Sequence, residues 1–86
     1  MNFRLTLSFE NKARKLCQKN PRLRLDLAKQ FKLFQINPRH PSLKLHRLKG
    51  KRSSQYAIWI QGDLRALCIE ENGLYIFLDL VTHDEY

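Results

Sequence analysis

At 86 residues the chain has room for one domain with a small core, so most of its apolar positions are committed to packing. It carries 16 Lys and Arg against 8 Asp and Glu, a formal net charge of +8. No apolar run approaches the roughly 18 residues of a membrane span, and the opening MNFRLTLSFENKARK has no signal-like apolar stretch, so a soluble, cytoplasmic protein is expected, with no membrane partner.

The charge is unevenly placed. Residues 1–52 hold 15 of the 16 cations and 2 acids, whereas residues 53–86 hold 1 cation and 6 acids. A solvated helical face accounts for part of this, but the size of the excess points to a polyanionic partner: nucleic acid first, acidic protein second, lipid headgroups third.

In chain order, NFRLTLSF alternates Phe3, Leu5 and Leu7 against Arg4, Thr6 and Ser8, which is strand periodicity. Ser8 is then placed to cap a helix to about Lys19, with Phe9, Ala13, Leu16 and Cys17 on one stripe. Asn20-Pro21 reads as an N-cap and first turn of a second helix. Its Leu23, Leu27, Phe31 and Phe34 recur at helical spacing, and Asn37-Pro38 ends it. His40, between Arg39 and Pro41, reads as an exposed spacer. SLKLHRLKG then alternates Leu43 and Leu45 against Lys44 and His46 and turns at Gly50. QYAIWI, LRALCI and LYIFLDLV read as strands joined by QGD and EENG, with Asn72-Gly73 the strongest hairpin signal. The expected fold is a single α+β domain over residues 1–86: an N-terminal strand, a two-helix hairpin, and an antiparallel meander forming a small twisted sheet.

Cys17 and Cys68 lie far apart, without metal-type spacing. They leave open one disulfide or two free thiols, and a reducing cytosol favours the thiols. The three histidines match no ligand pattern, so neither metal nor cofactor is expected. No P-loop, GxSxG or HExxH occurs. The chemistry-bearing groups are His46, Asp63, Arg65, His83 and Tyr86. Asp63 suits a turn, and His46 suits a solvent-facing strand position. Arg65 is the only cation after Arg52 and lies within an apolar strand, where a guanidinium needs a carboxylate or phosphate partner. Imidazoles with a phosphate-clamping arginine are the inventory of metal-independent RNA cleavage: a base on the 2′-hydroxyl, Arg65 on the phosphorane, an acid on the 5′-oxygen.

The ordered series LHRLKGKRSSQYAIWIQGDLRALCI … LYIFLDLVTHDEY resembles the second half of the RelE/ParE superfamily of bacterial toxins. That series is a Leu-Lys-Gly turn, a Ser-x-Tyr strand entry, a Gly-Asp-x-Arg hairpin, and a last strand closing on a histidine and a terminal aromatic. The resemblance implies a RelE-like fold and the toxin of a type II toxin–antitoxin system, a ribosome-dependent endoribonuclease (mRNA interferase). It implies as partners a cognate antitoxin, the 70S ribosome with its mRNA, and operator DNA only through the toxin–antitoxin complex. His46, Asp63 and His83 match a YafQ-like branch; His83 is then the leading acid/base group with His46 assisting. Arg65 stabilises phosphate and Tyr86 stacks on a base. The ParE side of the superfamily instead poisons DNA gyrase, and an inactive antitoxin- or nucleic-acid-binding relative is the third reading. Ala57 and Trp59 stand where the family carries lysines or a histidine, and the segment from His83 to Tyr86 is short.

The register sets one condition. A two-residue turn at Asn72-Gly73 pairs Glu71 with Leu74 and puts Arg65 opposite Leu80, so alternation sends Arg65 and His83 to opposite faces. A shared site requires a bulge or bend after Leu80.

Overall fold

The computed structural model describes residues 2–82. Strand β1 (Phe3–Leu5) leads into α1 (Leu7–Lys19) and α2 (Pro21–Ile36). A 3-10 turn (Pro41–Leu43), strand β2 (His46–Arg47) and a second 3-10 turn (Gly50–Arg52) follow, then β3 (Tyr56–Gln61), β4 (Leu64–Glu71) and β5 (Leu74–Thr82). The five strands form one sheet in the order β1-β5-β4-β3-β2. The meander is antiparallel as expected, but β1 pairs parallel to β5, making the sheet mixed. The α-hairpin carries the chain from β1 at one edge of the sheet to β2 at the other, and the three antiparallel steps of the meander bring β5 back alongside β1 in the same direction.

Local chemistry sets the helix ends. Thr6, rather than Ser8, caps α1: its Oγ1 accepts from the Phe9 backbone N–H at 3.1 Å. The strand-like alternation therefore stops at Leu5. Asn20 closes α1 and precedes Pro21 at the start of α2, as expected. Its side chain makes no cap hydrogen bond but donates to Gln61 Oε1. His40 is half-buried and accepts from the Ser42 N–H through Nδ1 at 3.2 Å, capping the first 3-10 turn instead of standing free. The expected alternation over residues 43–46 collapses into that turn. Leu43 is buried, Lys44 takes a left-handed φ of 50°, and pairing is confined to His46–Arg47.

The main core lies between the helices and one sheet face. Phe9 from α1, Leu23, Phe31 and Phe34 from α2, Ile58 and Ile60 from β3, and Phe77 and Leu80 from β5 are its larger buried side chains. Phe77 is its hub. Its ring centroid lies 4.8 Å from Phe31, 5.4 Å from Phe34, 6.0 Å from Phe3 and 6.1 Å from Phe9, all edge-on. Buried Gln30 donates from Nε2 to the Trp59 carbonyl at 2.9 Å and the Ser42 carbonyl at 3.3 Å, fastening α2 to β3 and to the 3-10 turn. Both cysteines are free. Burial pushes the Cys68 thiol up to about 12, so it stays protonated and inert.

The opposite face, open in the sense that neither helix packs on it, carries a second apolar cluster of Leu48, Ala57, Leu67 and Val81, whose side chains are themselves buried. Two bulges shape it. In β3 the register slips between Trp59 and Gln61. Gln61 turns to the helix side, where Nε2 donates to Asp26 Oδ2 at 2.6 Å. In β5 Cys68 pairs with Phe77 but Leu67 pairs with Asp79, leaving Leu78 as the extra residue. Asp79 accepts from Lys12 Nζ of α1 at 3.0 Å. Glu71 pairs with Leu74 as expected, but Arg65 faces Val81, not Leu80. The bulge thus occurs, three residues earlier than the register argument places it.

Replacing Phe77 by Ala removes the ring that four others enclose. We expect a loss of about 3–5 kcal/mol in urea unfolding, with a cost below 1 kcal/mol contradicting its role as hub.

Candidate nucleic-acid site on the open sheet face

Alternation places His46, Leu48, Ala57, Trp59, Arg65, Leu67 and Val81 on the open face, because their strand neighbours Ile58, Ala66, Cys68 and Leu80 belong to the helix-side core. Two rows run across it: His46, Ala57 and Leu67 in one, Trp59, Arg65 and Val81 in the next. Strand spacing and rise then separate the His46 and Arg65 Cα atoms by roughly 12 Å. Two long side chains can reach a phosphodiester from that separation, one from either side.

His46 is exposed, and its Nδ1 lies 2.9 Å from the Lys44 carbonyl oxygen. A carbonyl only accepts, so in the neutral ring Nδ1 carries the hydrogen and Nε2 holds the lone pair. The left-handed turn at Lys44 aims that carbonyl. For a residue with a Cβ such a conformation costs about 1–2 kcal/mol, which the surrounding packing sustains.

Arg65 is half-buried. Its Nη1 donates to the Gly62 carbonyl at 3.2 Å and the Leu64 carbonyl at 3.4 Å. Among the described residues it has no carboxylate partner, so its charge is available to an anion. The indole Nε1 of Trp59, directly across from Arg65, donates to the same Gly62 carbonyl at 2.7 Å. The β3–β4 turn therefore holds both side chains by one oxygen. Gly62 has a φ of 51°, a value open to glycine at little cost, and this conformation sets the turn. Asp63, the next residue, is exposed at the tip of that turn.

Ala57 and Trp59 bring no charge to β3, but Lys44 does: its Nζ stands 5.5 Å from the centre of the Trp59 ring, in cation–π range. No local pattern announces this, because Lys44 reads as one polar position in an alternating run. Around β2 lie the further exposed cations Arg47, Lys49 and Lys51.

The structure therefore gathers His46 and Arg65 on one face, with Asp63 at its rim. His83 and Tyr86 lie outside the described residues. No three His, Cys, Asp or Glu side chains converge among the described residues. Among the described residues no helix is long and apolar enough to cross a membrane.

The His46 arrangement is directly checkable. Long-range 1H–15N correlation on the neutral imidazole is expected to show the Nδ1–H tautomer, and a dominant Nε2–H form would contradict it.

No protein-family model matches the sequence, and no curated protein matches it. Solved structures do. YafQ from E. coli superposes with a TM-score of 0.75 at 20% identity, over 98% of this chain and 94% of that one. It also matches as seen in the DinJ–YafQ toxin–antitoxin complex, with a TM-score of 0.74, 20% identity, and 98% and 93% covered. A YoeB/ParE toxin from Agrobacterium tumefaciens matches with a TM-score of 0.75 at 16% identity, over 96% and 99%. A copper-bound mutant toxin from Helicobacter pylori matches with a TM-score of 0.72 at 23% identity, over 99% and 97%. From its first strand to its last, the chain has the fold of the RelE/ParE-type toxins.

Proposed function

We propose that this chain is the toxin of a type II toxin–antitoxin system, and that it cleaves ribosome-bound mRNA without a metal. The observation that carries the reading is the open face itself. There a half-buried arginine without a carboxylate partner among the described residues and a histidine with Nε2 left as its lone-pair nitrogen stand on an apolar floor of Leu48, Ala57, Leu67 and Val81.

In this reading an imidazole takes the proton of a ribose 2′-hydroxyl as its oxygen attacks the adjacent phosphorus. Arg65 neutralises the charge that accumulates on the non-bridging oxygens. The bond to the 5′-oxygen breaks, a protonated imidazole supplies that oxygen with its proton, and a 2′,3′-cyclic phosphate and a 5′-hydroxyl remain. His83 is the leading acid/base group and His46 its assistant. The bulge at Leu78, which brings Val81 opposite Arg65, supports a partnership between Arg65 and His83. Asp63 contributes from the turn beside Arg65, and Tyr86 stacks on a base.

The partners follow from charge and fold. Arg14, Lys15, Lys19, Arg22, Arg24, Lys29 and Lys32 are exposed on the helices and suit ribosomal RNA phosphates, an attachment that weakens as salt rises. The structural similarity to YafQ in a complex with DinJ supports a cognate antitoxin, which on charge grounds is acidic where it meets this chain. Operator DNA is reached through that complex.

Primer extension on a message translated in vitro, with and without ribosomes, tests the reading. Cuts are expected only with ribosomes, and to fall by about 10²–10⁴-fold in His83→Ala and about 10²–10³-fold in Arg65→Ala. Cuts that persist in His83→Ala move the chemistry to His46. Toxicity with no cuts, surviving removal of both histidines, replaces the reading with gyrase poisoning.

A further inference from the structure

Among the described residues Trp59 is the one large aromatic side chain of the open face, and the core does not use it. It belongs to neither apolar cluster, and its ring meets none of the aromatic rings that interlock on the helix side. It is half-exposed. Its polar tip is nevertheless fixed: Nε1 donates to the Gly62 carbonyl at 2.7 Å, the atom that also orients Arg65. A packing aromatic needs neighbours on both faces, whereas this one has a charged group, the Lys44 ammonium, 5.5 Å from its ring centre. Arg65 is its register partner across β3 and β4, and His46 lies in the adjacent row.

An indole held by its edge, with cations close by, is what single-stranded nucleic acid requires of a binding surface: a π-face for the base and positive charge for the flanking phosphates. We propose that Trp59 is a base-stacking platform, setting the position of the nucleotide whose phosphate Arg65 holds, with Lys44 moving from the ring to a neighbouring phosphate as the base arrives. Stacking accepts every base, so the platform fixes register along the strand rather than base identity. This rests on the reading of the open face as an RNA site, but it concerns binding, and its test involves neither ribosomes nor turnover.

The chain contains a single tryptophan, so indole emission reports this position alone. The intact protein is titrated at low salt with a short single-stranded RNA and, separately, with inorganic polyphosphate of matched charge. RNA is expected to quench the emission while polyphosphate binds without comparable quenching. Affinity for the RNA, read by anisotropy of a labelled strand, is expected to fall between about 5- and 150-fold in Trp59→Leu, which keeps apolar bulk but has no π-face. Trp59→Phe is expected to stay within a few-fold of the parent. Overturning results are equal quenching by both polyanions, RNA affinity unchanged in Trp59→Leu, equal losses in the Leu and Phe variants, or no RNA binding at all. Loss of message cleavage with this quenching intact would remove the catalytic reading and leave the stacking platform standing.

Discussion

The chemistry of the open face depends on where Phe77 sits and on the single residue that follows it. Four phenylalanines drawn from β1, α1 and α2 enclose the Phe77 ring, so β5 cannot slide without emptying the centre of the core. With that point fixed, the extra residue Leu78 shifts the alternation downstream. Leu80 then returns to the core and Val81 comes to face Arg65. A regular strand would set Arg65 against Leu80 and turn Val81 to the helix side.

The same economy holds around the β3–β4 turn. One carbonyl, that of Gly62, receives both Trp59 and Arg65, and one bulge turns Gln61 away toward α2. Trp59 is thereby the last residue of β3 on the open face. The positive charge missing from β3 itself arrives through space, from Lys44 of the segment before β2. The net charge of +8 thus has two structural destinations: the exposed helix faces, and a few cations beside an apolar floor.

Much of this was legible in the residues. The stripes of Phe9, Ala13, Leu16 and Cys17 and of Leu23, Leu27, Phe31 and Phe34 placed both helices and the face each buries. Asn72-Gly73, with φ of 51° and 82°, makes the predicted two-residue turn and fixes Glu71 opposite Leu74. What escaped depends on tertiary contact. The cap at Thr6 instead of Ser8 follows from β1 breaking off to let α1 start. The 3-10 turn at Pro41–Leu43 follows from Leu43 entering the core and from Gln30 binding the Ser42 carbonyl. A bulge carries no residue signature in LYIFLDLV, so its need could be argued from register but its place could not. The parallel pairing of β1 was invisible because three residues do not encode a neighbour's direction.

In the proposed function, a 2′-hydroxyl is activated and a 5′-oxygen is expelled at this face. The most direct test is the chemistry of the cut ends, read by mass spectrometry on fragments of a message translated in the presence of the protein. A 2′,3′-cyclic phosphate (or its opened 3′-phosphate) beside a 5′-hydroxyl is the predicted result. A 3′-hydroxyl beside a 5′-phosphate would mean attack by water from the other side of the phosphorus, and would contradict the role given to His46, Arg65 and His83.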